Sequence, residues 1–334
     1  MIMKVFRPWA FQGSLKRRNY FEGWYFKHVS ADRKRVWSFI PGISLSKINS
    51  HAFIQVLNGR TGKSYVFEYG VDEFSACSKN LDLHLGSSSF NPGGIKLDLN
   101  NGSAKISGSI EYSGLEPYPS SIINPGIMGW YSFVPFMECK HGVVSMHHSL
   151  HGGIHVGDSY LDFEDGTGYI EKDWGKSFPS AWIWFQTNHF EEPGTSLTAS
   201  VAIISWVRRS FPGFIVGLWH GGTLYRFATY TGARIEQLEI SDEAVTWIIR
   251  DRHHRLEMCA LRSAGGLLRA PTPVDMGRRI AETLNARVEM ALYSLEDDYP
   301  RRLFQGTGRH AGLEAVGDLA RLRAMWVSQA EAPG

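Results

Sequence analysis

Residues Gly168-Tyr169-Ile170-Glu171-Lys172-Asp173-Trp174-Gly175 hold two carboxylates two positions apart. On an extended chain such side chains share a face. Tyr169, Glu171 and Asp173 then point one way, and Ile170 and Lys172 the other. Two acids on one face, with the lysine between them turned away, repel each other. In a dry pocket that repulsion keeps one carboxyl protonated near neutral pH, which makes it a general acid. Asp173 is the first choice, because the indole of Trp174 at the bend would shield it. The bland alternative is a pair of solvated strand-end residues, and structural carboxylates outnumber catalytic ones.

A second aromatic run reads in the same way. In Tyr20-Phe21-Glu22-Gly23-Trp24-Tyr25-Phe26-Lys27-His28, an extended chain places Glu22, Trp24, Phe26 and His28 on one face and Tyr25 and Lys27 on the other. A carboxylate on an aromatic face is unusual for a pure core, where buried charge must be paired. Glu22 is therefore a further candidate catalytic acid, with a salt bridge to Lys16, Arg17 or Arg18 as the structural alternative. Past Pro179, the run from Trp182 to Asn188 puts Trp182, Trp184, Gln186 and Asn188 on one face, half aromatic and half hydrogen-bonding. Such a face suits a ligand cavity with a few orienting polar groups. Trp24, Trp174, Trp182, Trp184, Gln186 and Asn188 are thus the expected substrate-binding side chains. Trp24 and Trp182 lie 158 residues apart, and each opens an alternating aromatic run. One sheet-forming module used twice would give this pattern.

Other chemistries find less support. His147, His148 and His151 are close in sequence, but on a strand His147 and His148 face opposite ways. No Cys or carboxylate completes a tetrahedral set at a familiar spacing, so no metal site is expected. The chain has no GxSxG elbow, no P-loop, and no GxGxxG between a strand and a helix; Gly306-Thr307-Gly308 reads as a turn. Charge is nearly balanced, 35 Lys+Arg against 33 Asp+Glu, without the basic footprint that nucleic acid needs. The aromatic excess of 11 Trp, 13 Tyr and 19 Phe favours a flat or greasy small-molecule ligand. Three scattered cysteines, Cys77, Cys139 and Cys259, do not make a disulfide framework and suit a reducing compartment. No secretory signal and no transmembrane run are visible. The expectation is a cytoplasmic protein, with room for loose contact with a membrane surface.

The elements that must position these residues are short strands. His51–Leu57 enters a turn at Asn58-Gly59, and Ile95–Leu99 turns through Asn100-Asn101-Gly102 into Ala104–Tyr112. Ser196–Trp206, Ile215–Trp219, Leu224–Tyr230, Ala244–Arg250 and Leu256–Leu261 continue the alternation. Regular spacing of this kind predicts sandwiches or barrels. Long amphipathic helices are scarce, and Pro125–Phe136 and Val274–Leu284 are the best helix candidates. The expected architecture is all-β, with two antiparallel barrels in tandem over residues 1–155 and 156–325. The boundary is placed in the Gly-rich stretch Gly152–Gly168, and an Ala-rich tail, residues 326–334, is expected to fray.

At these residues the chain resembles the tocopherol cyclase family. The matching segments are Tyr20–Lys27, Gly126–Tyr131, Val134–Cys139, His141–Met146 and Gly168–Gly175 with Ser177-Phe178-Pro179, Trp182-Ile183-Trp184 and Gln186; Gly312–Leu319 is similar to the family's terminal strand. The family is distantly similar to lipocalin-like carotenoid hydratases, which implies lipocalin-like barrels here. It also implies ring closure of a prenylated hydroquinone to a chromanol. A proton goes to a trisubstituted alkene, a tertiary cation forms, and the phenol oxygen captures it. That chemistry needs a protonated carboxyl, aromatic faces for the cation and exclusion of water. It involves no redox change and so asks for no cofactor. The alternatives are a hydratase or isomerase using the same acid, and a carrier of prenylquinones or carotenoids that performs no chemistry.

Overall fold

The computed structural model describes residues 2–206, 209–272 and 275–330. The chain is almost entirely β and builds two lipocalin-like antiparallel barrels, in agreement with the alternating segments of the sequence. It divides into two compact units, Met1–Phe178 with Gly266–Ile280, and Pro179–Gly265 with Ala281–Gly334. The division after Phe178 lies downstream of the expected boundary at 155/156. The Gly-rich stretch 152–168 is not a linker, because strands of the first sheet absorb most of it.

The first sheet is formed by β1 (Tyr20–Val29), β2 (Val36–Leu45), β3 (His51–Asn58), β4 (Ser64–Tyr69), β5 (Phe74–Ala76), β6 (Leu83–Leu85), β7 (Ser88–Asn91), β8 (Gly94–Asn100), β9 (Lys105–Glu116), β10 (Cys139–Val156), β11 (Ser159–Asp162) and β12 (Gly166–Gly175). Their order is β4-β3-β2-β1-β12-β10-β9-β8-β7-β6-β5, with β11 on β10. β1 and β12, far apart in sequence, are neighbours at the centre. The sheet curls until β3 touches β6, and Asn101 in the β8–β9 turn donates to the Val66 carbonyl at 3.0 Å. Trp24, Phe26, Phe39, Phe90, Ile110, Leu150 and Ile170 fill the interior. The helix expected over Pro125–Phe136 is only a five-residue 3-10 turn, Gly129–Phe133, inside a long loop. Two prolines and two glycines leave too few residues there for an α-helix.

In the second unit, β13 (Ala181–Thr187), β14 (Ser196–Trp206), β15 (Arg209–His220), β16 (Thr223–Ala228), β17 (Arg234–Ile240), β18 (Ala244–Arg250) and β19 (His254–Leu261) precede β20 (Gly266–Ala270), which belongs with the first unit. There Gln55 on β3 donates to the Arg269 carbonyl at 2.9 Å and accepts the Arg269 N–H at 2.7 Å, while Arg269 pairs with Glu68. β21 (Arg278–Ser294) and β22 (Arg301–Gly317) complete the second sheet, ordered β16-β15-β14-β13-β22-β21-β19-β18-β17. β21 takes the place of the helix expected over Val274–Leu284, of which residue 274 lies outside the described residues. Val288, Met290 and Leu292 alternate into the core, so strand pairing overrides the local helix propensity. The expected frayed tail is also corrected. A helix, α1 (Leu319–Ala330), buries Leu322 in the second core and sets Trp326 against Phe214 at 5.5 Å; residues 331–334 lie outside the described residues.

Candidate active site

β12 carries opposite chemistry on its two faces. Ile170 is in the barrel interior, and Lys172 is fully buried on the same side. The Lys172 ammonium lies 4.5 Å from the Trp24 ring and 5.0 Å from the Trp174 ring. It pairs with Glu22 and donates to the carbonyls of Pro8 and Ala10. Burial pulls the ammonium below its ordinary pKa, and Glu22 opposes that fall. Glu22 is equally saturated. It accepts the Tyr20 hydroxyl, the Gln12 N–H at 2.8 Å and the Gly13 N–H at 3.0 Å. Both oxygens of this carboxylate are committed as acceptors, to an ammonium and three further donors. Glu22 is thus structural, and its partner is Lys172 rather than Lys16, Arg17 or Arg18. Trp24 and Trp174 face this pair inside the first unit.

The other face holds Tyr169, Glu171 and Asp173, the phase expected from the sequence. The Tyr169 hydroxyl donates to Glu171 Oε2 at 2.7 Å. β10 pairs with β12 so that His141 stands opposite Asp173. His141 Nδ1 lies 2.9 Å from Asp173 Oδ1, and its Nε2 lies 3.6 Å from Glu171 Oε2, within ion-pair range. The imidazole therefore bridges the two carboxylates. Burial works against its charge, but Asp173 and then Glu171 outweigh it and raise the His141 pKa to about 9. The imidazolium is the resting form at neutral pH. Glu171 is buried, whereas the Asp173 side chain keeps 30% of its surface and is the wet end of the chain. Cys139 Sγ approaches Asp173 at 4.0 Å, and burial pushes that thiol well up.

The strand register adds Tyr25 and Lys27, both buried, which stand opposite Glu171 and Tyr169 and so share their face. His141, Tyr25 and Lys27 were absent from the sequence-derived site. Pairing between strands brings them in, and strand pairing is not written in local alternation. Of the three histidines considered for a metal, His148 is buried beside His28 and Tyr112, while His151 bonds Ser113 and Glu164 near the surface. They do not converge. Among the described residues, donor atoms come within 4.8 Å of one another in two groups of three, His141, Glu171 and Asp173, and His151, Glu164 and Asp165.

In the second unit Ile183 and Phe185 fill the core, which turns Trp182, Trp184 and Gln186 to the opposite face of β13, as expected. All three are buried, and so is Asn188 just past the strand end. Trp182 Nε1 donates to Glu314 Oε2 at 2.5 Å. Glu314 stands opposite Trp184 on one side and Glu282 on the other, a second pair of acids that the sequence reading did not single out.

A cross-strand chain of tyrosine, two carboxylates and an imidazolium can hold and exchange protons, and the comparisons match the segments that carry it. The family profile described as tocopherol cyclase-like matches residues 109–317, more than half of the sequence. The chain belongs to the tocopherol cyclase-like family. Chloroplastic tocopherol cyclase of Zea mays is 29% identical over 157 residues, covering 43% of this chain and 31% of the maize protein. The probable chloroplastic tocopherol cyclase of Oryza sativa subsp. japonica matches at the same identity, with 32% of its length covered. The matched stretch therefore spans about a third of these relatives. Among solved structures, CghA with Sch210972 is similar over 90% of this chain and 89% of its own (TM-score 0.54, 10% identity). A putative AttH from Nitrosomonas europaea covers 88% and 92% (TM-score 0.51, 13% identity), and kievitone hydratase from Nectria haematococca 89% of each (TM-score 0.50, 11% identity). At these identities the structural likeness establishes the shared fold.

Proposed function

We propose that this member of the tocopherol cyclase-like family is a cofactor-independent cyclase that closes a prenylated hydroquinone to a chromanol. The observation that carries the reading is the Tyr169–Glu171–His141–Asp173 chain, from which Lys172 is excluded by its bond to Glu22 on the other face. With His141 charged, Glu171 and Asp173 both face the imidazolium, and Asp173 is the one of the two that reaches solvent. An apolar tail that covers Asp173 strips its water, and desolvation favours the protonated carboxyl. Asp173 then delivers its proton to the alkene carbon that leaves a tertiary cation. The quinol oxygen, held close by the folded tail, donates an electron pair to that cation and forms the ring C–O bond. Its proton passes to Glu171 and returns through His141 to Asp173. Substrate and product are isomers, so no co-reactant is consumed.

The test is incubation with a panel of prenylated hydroquinones in heavy-oxygen water, with products read by mass spectrometry. A chromanol without label is the expected product. A labelled tertiary alcohol would make the protein a hydratase, and stoichiometric binding without turnover would make it a carrier.

A further inference from the structure

The loop between β9 and β10 contains two of the family-like segments, Gly126–Tyr131 and Val134–Cys139, yet the proton chain uses neither. From Pro117 to Met137 it holds no charged residue. A surface loop of that length is ordinarily polar, but here, while Tyr118, Ile127, Met128 and Met137 are buried, five large apolar side chains are bare. Ile122 is 85% exposed, Ile123 77%, Phe136 75%, Trp130 49% and Phe133 44%. Phe136 also has φ 62°, a left-handed conformation that is a genuine outlier for a bulky side chain. The loop is nonetheless built. Ser132 Oγ donates to the Pro125 carbonyl at 3.2 Å, the Gly126 N–H donates to Ser120 Oγ at 3.2 Å, and Phe133 meets Phe6 edge-on at 6.0 Å. Five apolar side chains held outward on an ordered loop mark a surface that meets something apolar.

The rim of this surface is basic. Lys140 donates to the Ser132 carbonyl at 2.8 Å, which ties it to the loop. Phe21 and Cys139 both stand opposite Gly175 on β12, so the exposed run Lys16-Arg17-Arg18, just before β1, enters at the same end of the sheet as Lys140. Leu15, next to that run, is exposed as well. The last acid of the loop, Glu138, is turned onto Ser177 Oγ at 2.6 Å. Aromatic and aliphatic tips beside exposed cations, of which Arg17 lies 4.9 Å from the Tyr20 ring, fit the boundary between acyl chains and acidic headgroups. Trp130 is the residue type favoured at that depth.

We infer that the Pro117–Met137 loop and the Lys16-Arg17-Arg18 run form a docking surface for an anionic lipid bilayer. Its use rests on the prenylquinol reading, since a prenylated substrate partitions into the bilayer. The docking itself stands on the surface alone. The loop runs directly into β10, and the His141 N–H donates to Met128 Sδ at 3.1 Å, so the docked edge lies at the His141–Asp173 end of the sheet.

Flotation of the full chain with vesicles of phosphatidylcholine alone, or with phosphatidylglycerol added, tests this without substrate. The protein should float with the acidic vesicles. Ile123→Asp with Phe136→Asp should lower that partitioning roughly tenfold or more, and so should Arg17→Glu with Arg18→Glu, both with the wild-type Tm because the residues are exposed. Wild-type protein left behind by both vesicle types overturns the inference, as does equal flotation with both or a loop variant that floats unchanged. A wild-type dimer that the loop variant dissociates, without vesicle binding, would make the surface a protein interface instead. A protein that floats as described yet converts no detergent-dispersed quinol supports the docking and refutes the reaction.

Discussion

The two faces of β12 carry the same kinds of side chain to opposite ends. Inward, Glu22 meets Lys172 between two indoles, every polar atom of the pair is engaged, and no water reaches it. Outward, Glu171 and Asp173 share one imidazolium, and Asp173 remains partly wet. The inner pair fixes the N-terminal segment by its carbonyls and N–H groups, so it serves structure. The outer group keeps one carboxylate in reach of solvent, with 30% of the Asp173 side chain exposed, and that leaves protons able to move. What separates a structural charge from a reactive one here is access to solvent, since Glu22 is sealed with Lys172 while Asp173 on the neighbouring strand stays partly wet.

The comparison breaks first at Asp173. Asp173→Asn keeps size and loses the transferable proton, so turnover should fall by roughly two to four orders of magnitude with an unchanged Tm. Rapid turnover by this variant would move the donor elsewhere. On the inner face the loss should appear in stability. Lys172→Met strands a buried carboxylate and should cost about 3–5 kcal/mol in urea unfolding. Adding Glu22→Gln should restore much of it, and a double variant as unstable as the single would contradict an ion pair as the cause.

The faces should also answer pH with opposite signs. The His141 pKa rises from 6.5 to about 9 on folding, so its contribution is complete below pH 6.5 and is lost as pH climbs through about 9. The gap in stability between wild type and His141→Gln, on the order of 3 kcal/mol at most, should close over that alkaline window. His28, inside the barrel with Tyr112 Oη 2.7 Å from its Nε2, is held neutral by burial, with its pKa lowered to about 3. Its contribution is complete above pH 6.5 and is lost as pH falls from there towards 3. His28→Gln should therefore flatten the acid limb and leave the alkaline limb alone. Unfolding midpoints followed across both windows test the pair, and one common slope for both variants would erase the distinction.

Much of this was legible in the residues. Period-two alternation located about half of the strands, and phase alone put Tyr169, Glu171 and Asp173 together with Lys172 behind them. Phase does not say which face is the interior, because β1 and β12 are buried on both sides and apolar alternation fades there. Glu22 and Trp24 therefore looked like site residues, although they belong to the core. Lys172 as the partner of Glu22, and His141 as the bridge, depend on strand pairings over more than a hundred and about thirty residues. Local patterns carry no register across such distances. The β9–β10 loop misled differently, since an apolar run that reads as a helix is a loop that leaves Trp130, Phe133 and Phe136 exposed.

The return of residues 266–280 to the first unit bears on the order in which the protein can be finished during synthesis. Gln55 waits for Arg269, 214 residues downstream, a delay on the order of ten to forty seconds at ribosomal rates. Throughout that interval the Gln55 side chain on β3 lacks its partner, while the strands of the second barrel are already emerging. The two halves mature together, late, and only when nearly the whole message has been read. A chain released before residue 266 is accordingly not one complete half with the other missing, but two unfinished barrels.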